Sequence, residues 1–210
     1  MKQKRDKYRG RLFLAFIMTN IIFIFIFLFS FSISYLNYQN INSQNNLIDE
    51  YLQDLSEDIL KLNCENKFLL ESSEKLDNVG ARLSLLETRF GKKDSRVIEQ
   101  KELYVRLEIK HFEIIKKIQN ICGKNFTTIL FFYSNDEVYE KESEIIGFIL
   151  GTFKNKDPEK IMVYSFDYSS ESEPVKLLKE KYGIKNIPIV IVNERDMIFI
   201  DSIDDLDYYN

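Results

Sequence analysis

Residues 12–35 contain no charged side chain, and 24 consecutive residues dominated by Phe, Ile and Leu leave the chain few options. As a helix the run spans about 36 Å, enough to cross a bilayer with some tilt. Lys2, Lys4, Arg5, Lys7, Arg9 and Arg11 precede it against one acid, Asp6, and no Lys or Arg follows until Lys61. That asymmetry predicts a single-pass anchor with a cytoplasmic N-terminus and an extracytoplasmic remainder. The alternative is a cleaved signal peptide, with Ser30, Ser32 and Ser34 as small residues near a cleavage point. Against it, the run exceeds the roughly 7–15 residues of a signal core and lacks an Ala-x-Ala site.

The basic tail, residues 1–11, carries six cations against Asp6, or +5, so a chain of net charge −4 leaves −9 beyond it. An acidic exterior speaks against nucleic acid as a partner and against electrostatic docking onto anionic lipid.

Beyond the anchor Ile48, Leu55, Leu62, Leu69, Leu76, Leu83 and Phe90 recur at every seventh residue, with Leu52 and Ile59 at alternate positions. This spacing predicts a long helix with coiled-coil character, strongest near the membrane. Later alternate positions weaken to Asn66, Ser73, Gly80 and Glu87. Gly91 suits the left-handed residue after a helix and Asp94 suits an N-cap, so residues 91–94 read as a hairpin turn. The second helix, residues 95–121, is apolar over a broad face that includes Val97, Ile98, Tyr104, Leu107, His111, Ile114, Ile115, Ile118 and Ile121. Such a face must bury against the first helix, the C-terminal domain or both.

In an antiparallel hairpin turning at 91 and 94, facing residues i and j sum to about 185. The only cysteines, Cys64 and Cys122, sum to 186. Equal arms bring the two thiols to one height, and outside the cytoplasm such a pair oxidises. A Cys64–Cys122 disulfide clasping the open end of the hairpin is therefore expected. The alternative is two separate thiols whose side chains point apart.

After Gly123 the period changes. Residues 127–133 are β-rich, 140–153 helical, 160–166 β-rich and 174–182 helical, an alternation that indicates a parallel βαβ unit. Residues 189–192 and 197–200 then flank Asn193-Glu194-Arg195-Asp196, a link that suits an antiparallel hairpin. Within this region Lys181-Tyr182-Gly183-Ile184-Lys185-Asn186-Ile187-Pro188-Ile189-Val190-Ile191-Val192 resembles the turn, proline and central strand of thioredoxins. The resemblance covers residues 125–210 and is closest to thioredoxin-like proteins held on a membrane by one anchor and a helical stalk. It implies that Pro188 is the family's cis-proline; Ile189 stands where Thr is common. Phe132-Tyr133-Ser134-Asn135 resembles the strand end that leads, in such proteins, to a Cys-x-x-Cys pair. Here Val138, Tyr139, Glu140, Lys141, Glu142 and Ser143 fill that place. Thiol exchange needs a thiolate and a resolving sulfur, which this segment lacks.

His111 is the sole histidine, which reads as a packed side chain rather than a metal ligand or a catalytic base. Asp201, Asp204, Asp205 and Asp207 lack the spacing and glycine of an EF-hand and read as a solvated acidic tail. Asn125-Phe126-Thr127 matches an N-glycosylation acceptor at the entrance to a strand. No phosphate loop is present, and no cofactor, metal or enzymatic activity is expected.

The expected fold class is an α/β thioredoxin-like domain, residues 123–210, on an α-helical coiled-coil hairpin stalk, residues 36–122, with one N-terminal transmembrane helix. The expected function is that of a membrane-tethered, redox-inactive module. It would bind an extracytoplasmic protein through the face around residues 138–143 and Pro188. Two other readings are a structural bitopic coiled-coil protein, in which residues 36–63 zip chains into a homo-oligomer, and a tethered oxidoreductase working through Cys64 and Cys122.

Overall fold

The computed structural model describes residues 13–32, 50, 51, 53 and 66–209. The basic tail, the ladder positions between Ile48 and Leu62, and Cys64 lie outside them. Helix α1, Phe13–Ser32, has a mean hydropathy of 2.5 and is long and apolar enough to cross a membrane. A helix of this kind serves as an anchor or a signal sequence. Thr19 and Ser32 turn their hydroxyls back onto the carbonyls of Ala15 and Leu28, at 2.9 Å each, which satisfies them without solvent.

Residues 45–210 form a second compact unit. It opens with α2, Asn66–Phe90, and α3, Ser95–Cys122, joined by a turn at residues 91–94. Gly91 has φ +89°. Asp94 accepts the Arg96 N–H at 3.0 Å and holds the Arg96 guanidinium at 2.8 Å. Helix α3 ends at Gly123, φ +64°, whose N–H bonds the Gln119 carbonyl. Both ends thus use residues with a local reason to stop a helix. The register follows the expected sum near 185: Tyr104 lies against Gly80, His111 against Ser72 and Ser73, and Lys101 pairs with Glu87.

Four strands follow: β1 Thr127–Tyr133, β2 Ile161–Asp167, β3 Ile189–Val192 and β4 Asp196–Ile198. Their order is β2-β1-β3-β4, with β2 parallel to β1 and both other neighbours antiparallel. Helix α4, Glu140–Lys154, makes the crossover from β1 to β2, and α5, Glu173–Tyr182, that from β2 to β3. The result is a mixed α/β unit with a four-stranded mixed sheet. The Ile187–Pro188 peptide leading into β3 is cis.

Strand side chains alternate between two cores. Leu130, Phe132, Tyr164, Phe166, Ile189 and Ile191 pack with Leu107, Phe112, Ile114, Ile115 and Ile118 of α3, Leu76 and Val79 of α2, and Val175 of α5. Ile129, Phe131, Val190 and Val192 pack with Ile146, Leu150 and Phe153 of α4 and with Ile200 and Leu206. Each fully buried Ile, Leu or Phe contributes roughly 1.5–3 kcal/mol of transfer free energy. The broad face of α3 is therefore covered by α2 and the sheet together, and no break between compact units falls at 122–123.

Two expectations need correction. Ile98 and Ile121, assigned to the buried face of α3, are exposed; Val97 beside the one and Ile118 a turn before the other are buried, so the covered face is narrower than the apolar one. The acidic C-terminus keeps Asp201, Asp204, Asp205 and Asp207 exposed, as expected, but is a 3₁₀ helix, Ile203–Tyr209, docked through fully buried Leu206 rather than a tail. Its carboxylates do structural work: Asp205 accepts the N–H groups of Asp201 and Ser202 at 2.9 Å, and Asp207 pairs with Lys156 at 2.8 Å.

Candidate functional site

The segment between β1 and α4, where the sequence locates its candidate site, is a tight turn. The Asp136 carbonyl accepts the N–H groups of Tyr139 and Glu140 at 2.8 Å, and Ser134 Oγ accepts that of Asp136 at 3.1 Å. Ser143 is buried, and its hydroxyl accepts the Ser134 N–H at 3.2 Å, closing the end of β1. Pro188 is buried as well. Val138, Tyr139, Lys141 and Glu142 are exposed. The six-residue segment and the proline thus do not form one open face; its outer part alone is presented to solvent.

That outer part continues along α4. Val138 is 82% exposed, Ile145 50% and Phe148 77%. Ile145 and Phe148, three residues apart, lie on one side of α4, roughly opposite the stripe of Ile146, Leu150 and Phe153 that faces the sheet, and Val138 lies in the turn two residues before the helix begins. Sequence reasoning missed Ile145 and Phe148, although their spacing was there to be read.

On the flank of α4, Lys92 from the hairpin turn reaches Glu140 and Glu144 at 2.8 Å each. Burial works against the Lys92 charge, but the two carboxylates outweigh it and hold its pKa above the ordinary lysine value. At the other end Lys154 pairs with Asp77 of α2. Beneath the turn, a cavity of about 470 Å³ opens at the carboxyl ends of β1 and β2, lined by Tyr104, Tyr133, Asn135, Ser165 and Asp167 among others. Asn135 donates to Asp167 at 2.7 Å across its mouth.

Behind the cavity lies a sealed polar cluster. His111, 1% exposed, shares hydrogen bonds with Tyr164 Oη at 2.8 Å and with Ser72 and Ser73 Oγ at 3.3 Å. Burial, followed by the Lys154 charge, lowers its pKa to about 4, so it is neutral at pH 7. Glu108 accepts the outward N–H of Ser165 in β2 at 2.8 Å. Its Oε2 has no partner among the described residues. Burial holds its carboxyl well above the usual range, hence protonated. His111 is a core group, out of reach of any substrate. Among the described residues no group of three His, Cys, Asp or Glu could hold a metal ion.

Cys122 is half-buried in the last turn of α3 and packs against the hairpin core; Cys64 lies outside the described residues. Compared with known proteins, the chain matches no family model, no curated protein and no solved structure.

Proposed function

We propose that this chain is a membrane-anchored, redox-inactive thioredoxin-like module that binds an extracytoplasmic protein through the outer face of α4. The carrying observation is the row Val138, Ile145 and Phe148, three apolar side chains exposed together along α4 and the turn that leads into it. Exposed apolar side chains grouped on one face mark interaction sites more often than scattered ones do. The thioredoxin-like reading is supported by the strand order β2-β1-β3-β4, with β1 and β2 parallel and joined through α4. It is also supported by the position of Pro188 directly before β3. The anchor and outside location are supported by the length and apolarity of α1 and by the basic residues before it. The disulfide belongs to the same reading, supported by the hairpin register and by the lack of any free cysteine among the described residues.

The test is a photoreactive benzoylphenylalanine at Phe148 in the full chain in intact cells. A discrete adduct with one extracytoplasmic protein, lost when Ile145→Asp is added, supports the reading. No adduct at position 148 or 138 overturns it. Impermeant maleimide labelling of Cys64 and Cys122 only after reduction is expected if both lie outside as a disulfide.

A further inference from the structure

The cavity at the carboxyl ends of β1 and β2 lies where neighbouring connections part. Strand β1 runs into α4, which packs on one face of the sheet, and β2 into α5, which packs on the other. In α/β sheets the crevice at such a parting is where ligands bind. Its volume of about 470 Å³ falls within the roughly 300–1,000 Å³ of small-molecule sites. None of Val138, Ile145 and Phe148 lines it, so it is separate from the outer face of α4.

Its walls suit an apolar body: Leu83 of α2, Val105 of α3 and the rings of Tyr104 and Tyr133 line it. Its polar groups are acceptors short of a cation. Asp167 accepts the Asn135 amide at 2.7 Å and the Ser169 N–H and hydroxyl at 2.9 and 2.6 Å, all of them neutral donors. Tyr104 Oη takes part in no hydrogen bond among the described residues. Two of the lining lysines are already matched, Lys92 by Glu140 and Glu144 and Lys101 by Glu87. Glu171 is matched in turn by Lys176. That leaves Asp136, Asp167 and Glu102 against Lys93, none of them in an ion pair among the described residues.

We propose that this cavity binds an organic cation, a protonated amine or guanidinium on an apolar stem, with Asp167 as its counter-charge and the phenol rings of Tyr104 and Tyr133 against its body. Ammonium and guanidinium groups bring donors only, which is what a wall of unspent acceptors needs. Aromatic faces attract cations as well. An anion would meet Asp136, Asp167 and Glu102 with Lys93 alone to balance them, and a neutral ligand would leave the half-buried Asp167 charge uncompensated. Burial, then the charges of Asp167, Glu87 and Glu108, raise the Tyr133 pKa above the ordinary phenol value, the mark of a negative local field that a cation relieves. The same chemistry is offered by a free small amine and by a Lys or Arg side chain of another protein.

The test titrates the isotope-labelled full chain in detergent micelles at pH 7 with N-butylguanidine, with its neutral isostere N-butylurea and with valerate, and follows the amide spectrum. Saturable shifts at Asn135, Ser165, Asp167 and Ser169 are expected for the guanidinium, with an affinity roughly tenfold or more above that of the urea. Asp167→Asn should weaken the guanidinium roughly tenfold and Glu102→Gln, at an exposed position, less. Glu159→Gln, exposed and outside the cavity, should leave binding unchanged. Equal affinity for the urea, tighter binding of valerate, shifts that never saturate, or affinity unmoved in both cavity variants each overturns the assignment. The comparison of cation with isostere needs no variant, so misfolding of Asp167→Asn does not blunt it. Nα-acetylarginine methylamide, the same head group with a peptide backbone on its stem, separates the sources. Equal binding assigns the site to a side chain of another protein, weaker binding to a free amine, and either result keeps the cation.

Discussion

Glu108 and His111 lie one turn apart on α3 and titrate in opposite senses. Burial raises the Glu108 pKa well above the ordinary carboxylate value of 4.5, and burial with the Lys154 charge lowers that of His111 from 6.5 to about 4. Between about pH 4.5 and 6.5 the unfolded chain carries a proton on histidine and the folded one a proton on Glu108, so these groups leave stability level. Above 6.5 the unfolded chain has released the histidine proton while folded Glu108 keeps its own. The native state then binds more protons, and stability falls by up to about 1.4 kcal/mol per pH unit. Below about 4.5 the unfolded chain binds both protons while folded His111 stays neutral down to about 4, so stability is lost as pH falls. Glu108→Gln keeps an acceptor for Ser165 and removes the alkaline loss. Urea unfolding from pH 5 to 9 should show the variant flat above 6.5 and more stable than the parent at pH 8; parallel profiles would sink the assignment of a protonated Glu108. Gly80 offers a steric counterpart. A Cβ there lies 2.8 Å from Tyr104 Oη and 3.2 Å from Cζ, so Gly80→Ala should destabilise by about 1–2 kcal/mol despite a helix-propensity gain near 1 kcal/mol. In a Tyr104→Phe background most of that loss should vanish, as a double-mutant cycle would register.

Among the elements, the turn at residues 91–94 and helix α4 are tied by one side chain. Lys92 is 30% exposed and its partners Glu140 and Glu144 are 41% and 65% exposed, so Lys92→Ala should cost only about 0.5–1 kcal/mol globally. Its local effect is larger: amide exchange should quicken in the turn and the first turn of α4 while α3 past Leu107 is unchanged. Uniform exchange changes, or none, would mean that Lys92 does not hold the tip. The turn was legible because Gly91 and Asp94 each carry a local conformational reason for stopping or starting a helix. The strands were legible to within a residue or two because a βαβ alternation changes the hydrophobic period. What could not be read was which of two apolar stripes on α4 is covered. Ile146, Leu150 and Phe153 and the pair Ile145 and Phe148 are both apolar at helical spacing, and the choice is made by the sheet, whose position is a long-range fact. For the same reason Ser143 and Pro188, read as surface, face inward: the end of β1 needs a hydroxyl, and the strand that follows Pro188 is the inner one.

For the whole molecule, the decisive feature is that α3 belongs to two layers at once. Ile114, Ile115 and Ile118 sit in the same core as Leu130, Phe132 and Tyr164 of the sheet and Leu76 of α2. Pulling the hairpin apart would therefore strip one face of the sheet, and the hairpin and sheet should unfold together. The proposed Cys64–Cys122 clasp would act on all of it. Closing the loop between residues 64 and 122 restricts the unfolded chain by about 4 kcal/mol in the chain-entropy view, against a typical total of roughly 5–15 kcal/mol. Reduction of the full chain in detergent should lower the denaturation midpoint for helix and aromatic signals alike, and Cys122→Ser should reproduce the shift without reductant. If reduction lowers the helix transition alone, α3 is not shared between layers in solution. If it moves neither, Cys64 and Cys122 are not joined and the α2–α3 hairpin is held by packing alone.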